Sequence, residues 1–289
     1  MELNVALLVI ASALLHPMRE LLIKGNAYPE GLAFAVMLQF GLYSSTQVLV
    51  TGVDPWAALA VLPFAVISSV AVIVFYLLMV MTLQRGDMSV YYPITRSSPL
   101  FVVVVGYLFL DQRYSLTMLT GIAIVLISAF FLQFKKGTRL LDAPMALALA
   151  IGAMSAHGVI TLADAQAMRS VNPEQFFFLV YLMILPGMAV VFWLTCPRDR
   201  SVANHLLAGW RLTPGRFLIA GVGSYLSYYL ILTAFNLGGN VAAVASLRQI
   251  SIPVSVILSA MVLGELYVLR RLAWSALLAV GVAIIMVAR

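Results

Sequence analysis

The sequence predicts an all-α integral membrane protein, with ten transmembrane helices arranged as two inverted five-helix repeats. Three observations lead there. Of the 289 residues, 63% are hydrophobic and only 10% charged, against about 25% charged in an average soluble domain. The apolar residues run in long uncharged blocks such as 67–83, 100–110 and 116–134, and a bilayer-spanning helix needs about 20 such residues. The two halves of the chain also repeat one another.

One soluble core cannot hide so much apolar surface, so a soluble enzyme is excluded. The net charge of +6 belongs to loops that face an anionic leaflet. No basic stretch interleaved with aromatics in a polar context is present to bind nucleic acid. The single cysteine, Cys196, excludes an intrachain disulfide and a multi-cysteine metal site. The first apolar stretch follows Glu2 rather than a basic region and lacks a small-residue cleavage site. It reads as a retained span.

Breaks at glycine, proline and charge clusters place the helices at 3–24, 31–50, 58–83, 88–110, 115–134, 144–165, 174–195, 215–237, 240–263 and 268–287. The third has a soft start, because Pro55 and Pro63 both disturb it. Lys and Arg counted in alternate loops give eleven on one side and three on the other, Arg113, Arg169 and Arg289. That bias puts both termini outside the cytoplasm.

The repeat can be read by eye. Pro29-Glu30 followed by Phe34 opens the second helix, and Pro173-Glu174 followed by Phe178 opens the seventh. Pro99 stands twelve residues before Asp111, and Pro253 twelve before Glu265. His16 precedes Pro17 on helix 1, and His157 precedes Gly158 on helix 6. The repeats are assigned to 1–140 and 141–289. Five passes per half is an odd number, so the second half enters the membrane upside down. Inverted repeats of this kind recur in secondary transporters, where exchanging the conformations of the halves turns an outward-open state into an inward-open one.

The stretch Tyr92-Pro93-Ile94-Thr95-Arg96-Ser97-Ser98-Pro99-Leu100 running to Asp111, with Ala245-Ser246-Leu247-Arg248-Gln249-Ile250-Ser251 running to Gly264-Glu265, resembles the EamA type of the drug/metabolite transporter superfamily. The resemblance implies a central cavity built from helices 1, 3, 4, 6, 8 and 9. It also implies cytoplasmic termini, opposite to the loop count. Ala13-Leu14-Leu15-His16 with residues 21–24 further resembles a subgroup found near phosphonate-degradation genes.

Charged residues at mid-membrane cost several kcal/mol and mark function by default. Arg96 lies nine residues after Asp87, roughly 14 Å deep at 1.5 Å per residue. Arg248 lies eight after Asn240, about 12 Å deep by the same rise. Each either lines the cavity or ties down carbonyls freed by Pro93 or Pro253. His16 and His157 stand where Pro17 removes a backbone donor and Gly158 loosens the chain. Glu20 shares a face with His16, and Thr161 and Asp164 extend the stripe of His157. His16, His157, Glu20 and Asp164 are therefore the candidates for proton coupling. Arg96, Arg248, His16, His157, Tyr92 and Tyr228 are the candidates for substrate binding. Ser251, Ser255 and Ser259 read as a packing stripe, and the other tyrosines of helices 4 and 8 serve as walls or girdle.

Catalytic motifs and a nucleotide site are absent from the sequence, and no cofactor or metal is expected. Gly86-Asp87 lacks the second aspartate motif that an intramembrane enzyme would need. The expected function is secondary transport of a small polar metabolite, amino-acid-like or phosphonate-like and bearing an anionic group, by a multi-pass protein of the cytoplasmic membrane, monomeric or homodimeric. The alternative on the same fold is a multidrug exporter or a lipid-carrier flippase.

Overall fold

The computed structural model describes residues 2–23, 29–85, 88–133, 143–195, 214–254 and 268–288. Among them the chain is all-helical. In order, the elements are α1 (Leu3–Ile23), α2 (Pro29–Thr51), a 3-10 turn (Pro55–Val61) leading into α3 (Leu62–Arg85), α4 (Met88–Thr95), α5 (Ser98–Phe109) and α6 (Leu116–Gln133). There follow α7 (Pro144–Ala167), α8 (Pro173–Thr195), α9 (Pro214–Asn236), α10 (Val241–Leu247) with a 3-10 turn (Arg248–Ile250), and α11 (Val268–Val287). Helices α4 and α5 together make the fourth pass. The ninth begins with α10 and is helical as far as Val254. The boundary between repeats at 140/141 and the loop residues Lys24, Lys135, Lys136, Arg139, Arg198, Arg200 and Arg211 lie outside the described residues.

Local chemistry sets the helix starts. Proline stands first in α2, α7, α8 and α9, where its missing N–H would have been unsatisfied in any case. Asp54 Oδ1 accepts from Trp56 N at 3.0 Å and caps the start of the third pass, which therefore begins at Pro55, earlier than the expected residue 58. Asn240 Oδ1 accepts from Ala243 N at 3.1 Å and caps α10.

The weakened positions beside the two histidines do not break their helices. Helix α1 runs unbroken through Pro17, and α7 through Gly158. The discontinuities lie instead at Arg96–Ser97, between α4 and α5, and at the 3-10 turn Arg248–Ile250. Pro99 and Pro253 cause them, since each lacks the N–H that would close on the carbonyl four residues back, that of Thr95 or of Gln249.

Packing displays the internal repeat directly. Helix α3 lies along α7, as α9 lies along α1; α3 touches α8, as α9 touches α2; the fourth pass rests on α7, as the ninth rests on α1. The pairs α2–α8, α6–α11 and α5–α10 join equivalent elements. Exchanging each pass with the one five places later returns the same set of principal contacts. With an odd number of passes per half, this is a pair of inverted five-helix repeats about a pseudo-two-fold axis. Helices α6 and α11 cross at Gly121 and Gly281, where a Cβ on either would lie 3.0 Å from the other's carbonyl oxygen. Small residues allow such close backbone approach in a membrane.

Four stretches, Pro55–Met79, Pro144–Ala167, Pro173–Val191 and Pro214–Asn236, are each long and apolar enough to cross a bilayer. Leu49, Val50, Phe109 and Leu116 are more than three-quarters exposed. An apolar jacket of this kind is stable against lipid rather than water.

Candidate functional site

The two helix breaks meet in the interior and bound a cavity of about 210 Å³. Its walls come from α1, α2, α3, the fourth pass, α7, α8, α9 and the ninth pass, which includes all six passes that the family resemblance implies. Arg96, Arg248, His16, His157, Tyr92 and Tyr228 all line it, and so does Asp164. The side chain of Glu20 lies outside the described residues.

Arg96 is the centre of the arrangement. Its Nη1 donates to His16 Nε2 at 3.0 Å and its Nη2 to Ser251 Oγ at 2.6 Å. A guanidinium has no acceptor, so His16 Nε2 is the acceptor in this pair. The guanidinium carbon also lies 5.8 Å from the centre of the Tyr92 ring, within cation–π range. The backbone at the break is held as well, because Gln249 Nε2 donates to the Arg96 carbonyl at 2.8 Å. The two discontinuous passes are thus tied to each other and to α1.

His157 pairs with the second half of the same break. Ser98, at the start of α5, places its Oγ 2.7 Å from His157 Nδ1, and the imidazole is tilted against Phe75 at 5.3 Å between ring centres. One turn later, Thr161 Oγ1 donates to the His157 carbonyl at 2.9 Å. Asp164 accepts from Ser68 Oγ at 2.6 Å on one oxygen and from the Tyr228 hydroxyl on the other. The charge of Arg248 acts on both His157 and Asp164. Ser12 and Ser227 exchange hydrogen bonds between α1 and α9 at 2.7–2.9 Å.

A belt of aromatic and polar groups separates the cavity from the end of the bundle formed by residues 51–55, 168–173 and 237–240. Phe40, Phe177, Tyr181 and Tyr225 pack ring on ring. Beyond them, Glu174 accepts from the Tyr229 hydroxyl and from Gln47 Nε2, while Gln47 accepts from Tyr225. Asn236 Nδ2 ties the 168–172 turn through the carbonyls of Met168 and Val171, at 2.9 and 3.2 Å. Gln175 Nε2 reaches the Asp54 carbonyl at 2.9 Å.

One expectation is corrected. Ser251 is no packing residue, since it lines the cavity and holds Arg96. Ser98, Ser227 and Gln249, which line the cavity, and Ser68, which holds Asp164 there, were not among the expected site residues. The signal for Ser98 and Gln249 was present: Ser98 stands two residues after Arg96 and Gln249 directly after Arg248, each beside a proline-induced break.

An inverted-repeat bundle with a polar, charged cavity at two broken helices has the architecture of a membrane transporter. The comparisons with known proteins agree. Residues 3–134, a little under half of the chain, match the EamA-like transporter family. That family is part of the drug/metabolite transporter superfamily, and the match falls on the first of the two repeats. Among solved structures, a crystal structure described only as a protein is 17% identical over 99% of this chain and 98% of its own, with a TM-score of 0.76. That likeness is one of fold. No curated protein matches.

Proposed function

We propose that this protein is a secondary transporter of the cytoplasmic membrane that moves a small organic solute bearing a carboxylate or phosphonate group. The observation that carries this reading is the charge of the cavity wall. Two guanidinium groups line it, while Asp164, the carboxylate among its described lining residues, is already engaged by Ser68 and Tyr228. A wall with excess positive charge in a low-dielectric surrounding favours an anionic group on the solute. The serine hydroxyls and imidazoles fit the polar end of the solute, while Phe40, Val72, Phe75, Ile160 and Ile231 in the same wall receive its apolar part. A thermal-shift screen of small carboxylates, phosphonates, amines and neutral polyols on the purified protein tests the reading. Stabilisation by amines or polyols alone would sink it.

Coupling to protons runs through His16, His157 and Asp164. A proton on His16 Nε2 is incompatible with the bond from Arg96, and a proton on Asp164 removes the negative charge that faces Arg248. A proton on His157, which meets Ser98 through Nδ1, adds to the positive charge of the wall. An unperturbed histidine titrates near pH 6.5. His16→Gln and Asp164→Asn are expected to lower transport and flatten its dependence on pH between about 5.5 and 7.5. His157→Gln is expected to lower transport and flatten the profile as well. Profiles of wild-type shape in both His16→Gln and Asp164→Asn would remove these groups from coupling.

The excess of lysine and arginine in alternate loops supports a topology with both termini outside the cytoplasm. A reporter fused to the C-terminus is expected to be active on the non-cytoplasmic face. A cytoplasmic signal would restore the orientation that the family resemblance implies.

A further inference from the structure

Gln249 lies in the cavity wall and is 5% exposed. The orientation of its amide is fixed, because a backbone carbonyl can only accept: the atom facing the Arg96 oxygen at 2.8 Å is the Nε2 donor. The other end, Oε1, is buried and meets no hydrogen-bond donor among the described residues. A buried acceptor left in that condition is costly and calls for an explanation. Ser224, likewise 5% exposed and lining the same cavity, has a buried hydroxyl with no hydrogen-bond partner among the described residues. The serine and threonine hydroxyls of the site named above are engaged, so these two groups stand apart from them.

The position of Gln249 gives the orphaned acceptor a meaning. Arg248 precedes it, Ser251 two residues later holds the Arg96 guanidinium, and its own amide holds the Arg96 backbone. An anionic group held by the two arginines brings the atoms next to it towards Gln249. We infer that Gln249 determines specificity by accepting a hydrogen bond, through Oε1, from a hydroxyl or amino group close to the anionic group of the solute. The inference rests on the anionic reading of the cavity and narrows it, from any small organic anion to hydroxy- or amino-substituted ones. A site that hydrogen-bonds a substrate group rejects the analogue lacking it far more strongly than an apolar pocket rejects a missing methylene.

The test uses matched probes on the purified full-length protein. Propanoate, 2-hydroxypropanoate and 2-aminopropanoate form one series; methyl-, hydroxymethyl- and aminomethylphosphonate form the other. Binding is measured by calorimetry for the wild type, Gln249→Met and Gln249→Glu, with thermal unfolding as the check of folding. In at least one series the wild type should bind a donor-bearing probe about tenfold or more tightly than the unsubstituted anion. Gln249→Met, which keeps the volume but has no acceptor, should shrink that margin to about twofold or less. Gln249→Glu, which keeps an acceptor oxygen but loses the Nε2 donor and adds a charge, should preserve it for the hydroxy-substituted probes, which that charge does not attract. The readout is the ratio between probes, since loss of the tie to Arg96 weakens all probes together and leaves the ratio unchanged. If Gln249→Met does not fold, the wild-type ratio and Gln249→Glu decide. Equal binding of substituted and unsubstituted probes by the wild type overturns the role of Gln249 and leaves the anionic reading standing. A margin that survives in Gln249→Met overturns it too. If none of the six anions binds the folded wild type, the anionic reading falls and this inference falls with it.

Discussion

Arg96→Lys and Arg248→Lys are each expected to leave the protein folded and to weaken solute binding by about 1.5–3 kcal/mol, the scale of a hydrogen bond to a charged group. At 25 °C that is roughly a 10- to 150-fold rise in Kd. The geometry at Arg96 shows why lysine is a poor substitute. One planar fork reaches His16 Nε2 and Ser251 Oγ from two different nitrogens, on passes 1 and 9, while its carbon lies over the Tyr92 ring. A lysine ammonium keeps the charge but loses the fork, the stacking face and the bidentate grip on a carboxylate or phosphonate. Calorimetry with the tightest-binding anion of the probe series measures the effect, and thermal unfolding separates binding from folding. Unchanged affinity in both variants would point to a neutral or cationic solute. Collapse of both would make the arginines fasteners of the broken helices, the alternative the sequence leaves open for them.

Gly158→Ala carries the second large expected effect, and its sign is informative. In an exposed helix, replacing glycine by alanine gains about 0.5–1 kcal/mol. Here a Cβ would lie 2.3 Å from Phe101 Cδ1 and 2.9 Å from its Cγ. Phe101 belongs to α5, whose first residue, Ser98, bonds the neighbouring His157. The methyl group must push α5 away, and overpacking of this kind costs about 1–3 kcal/mol. The variant is expected to unfold at lower temperature and to bind the solute less tightly, because α5 carries Ser98 out of reach of His157. Greater thermal stability would show instead that Gly158 merely loosens its helix, as the sequence suggests. Phe101→Leu combined with Gly158→Ala should recover part of the loss.

Residues 92–100 show how far the sequence reaches. Pro93, Pro99 and a lone arginine in an apolar run announce an irregular, functional stretch, because the penalties for a missing N–H and for a buried charge are local properties of the residue. The weakening at Pro17 and Gly158 produces no helix break, and the reason is again physical. Pro17 and Gly158 lower helix propensity, but propensity is a weak term, and packing of α1 on α9 and of α7 on α3 keeps both helices intact. Serine is the harder case. Ser251 is spaced like a packing stripe, and only its contact with Arg96, 155 residues away in sequence, makes it part of the site.

The sequence by itself determined that the chain lives in a membrane, that it crosses in two similar halves, and that Arg96, Arg248, His16, His157 and Asp164 stand among apolar neighbours. Composition, periodicity and the cost of a buried charge are carried by the residues themselves. Only the tertiary structure decided that these groups share one cavity, that Arg96 is held by His16 and Ser251 while His157 is held by Ser98, and that Asp164 is closed off by Ser68 and Tyr228. A hydrogen bond needs two groups within about 3 Å of each other. Partners on different passes reach that distance only when the helices have packed.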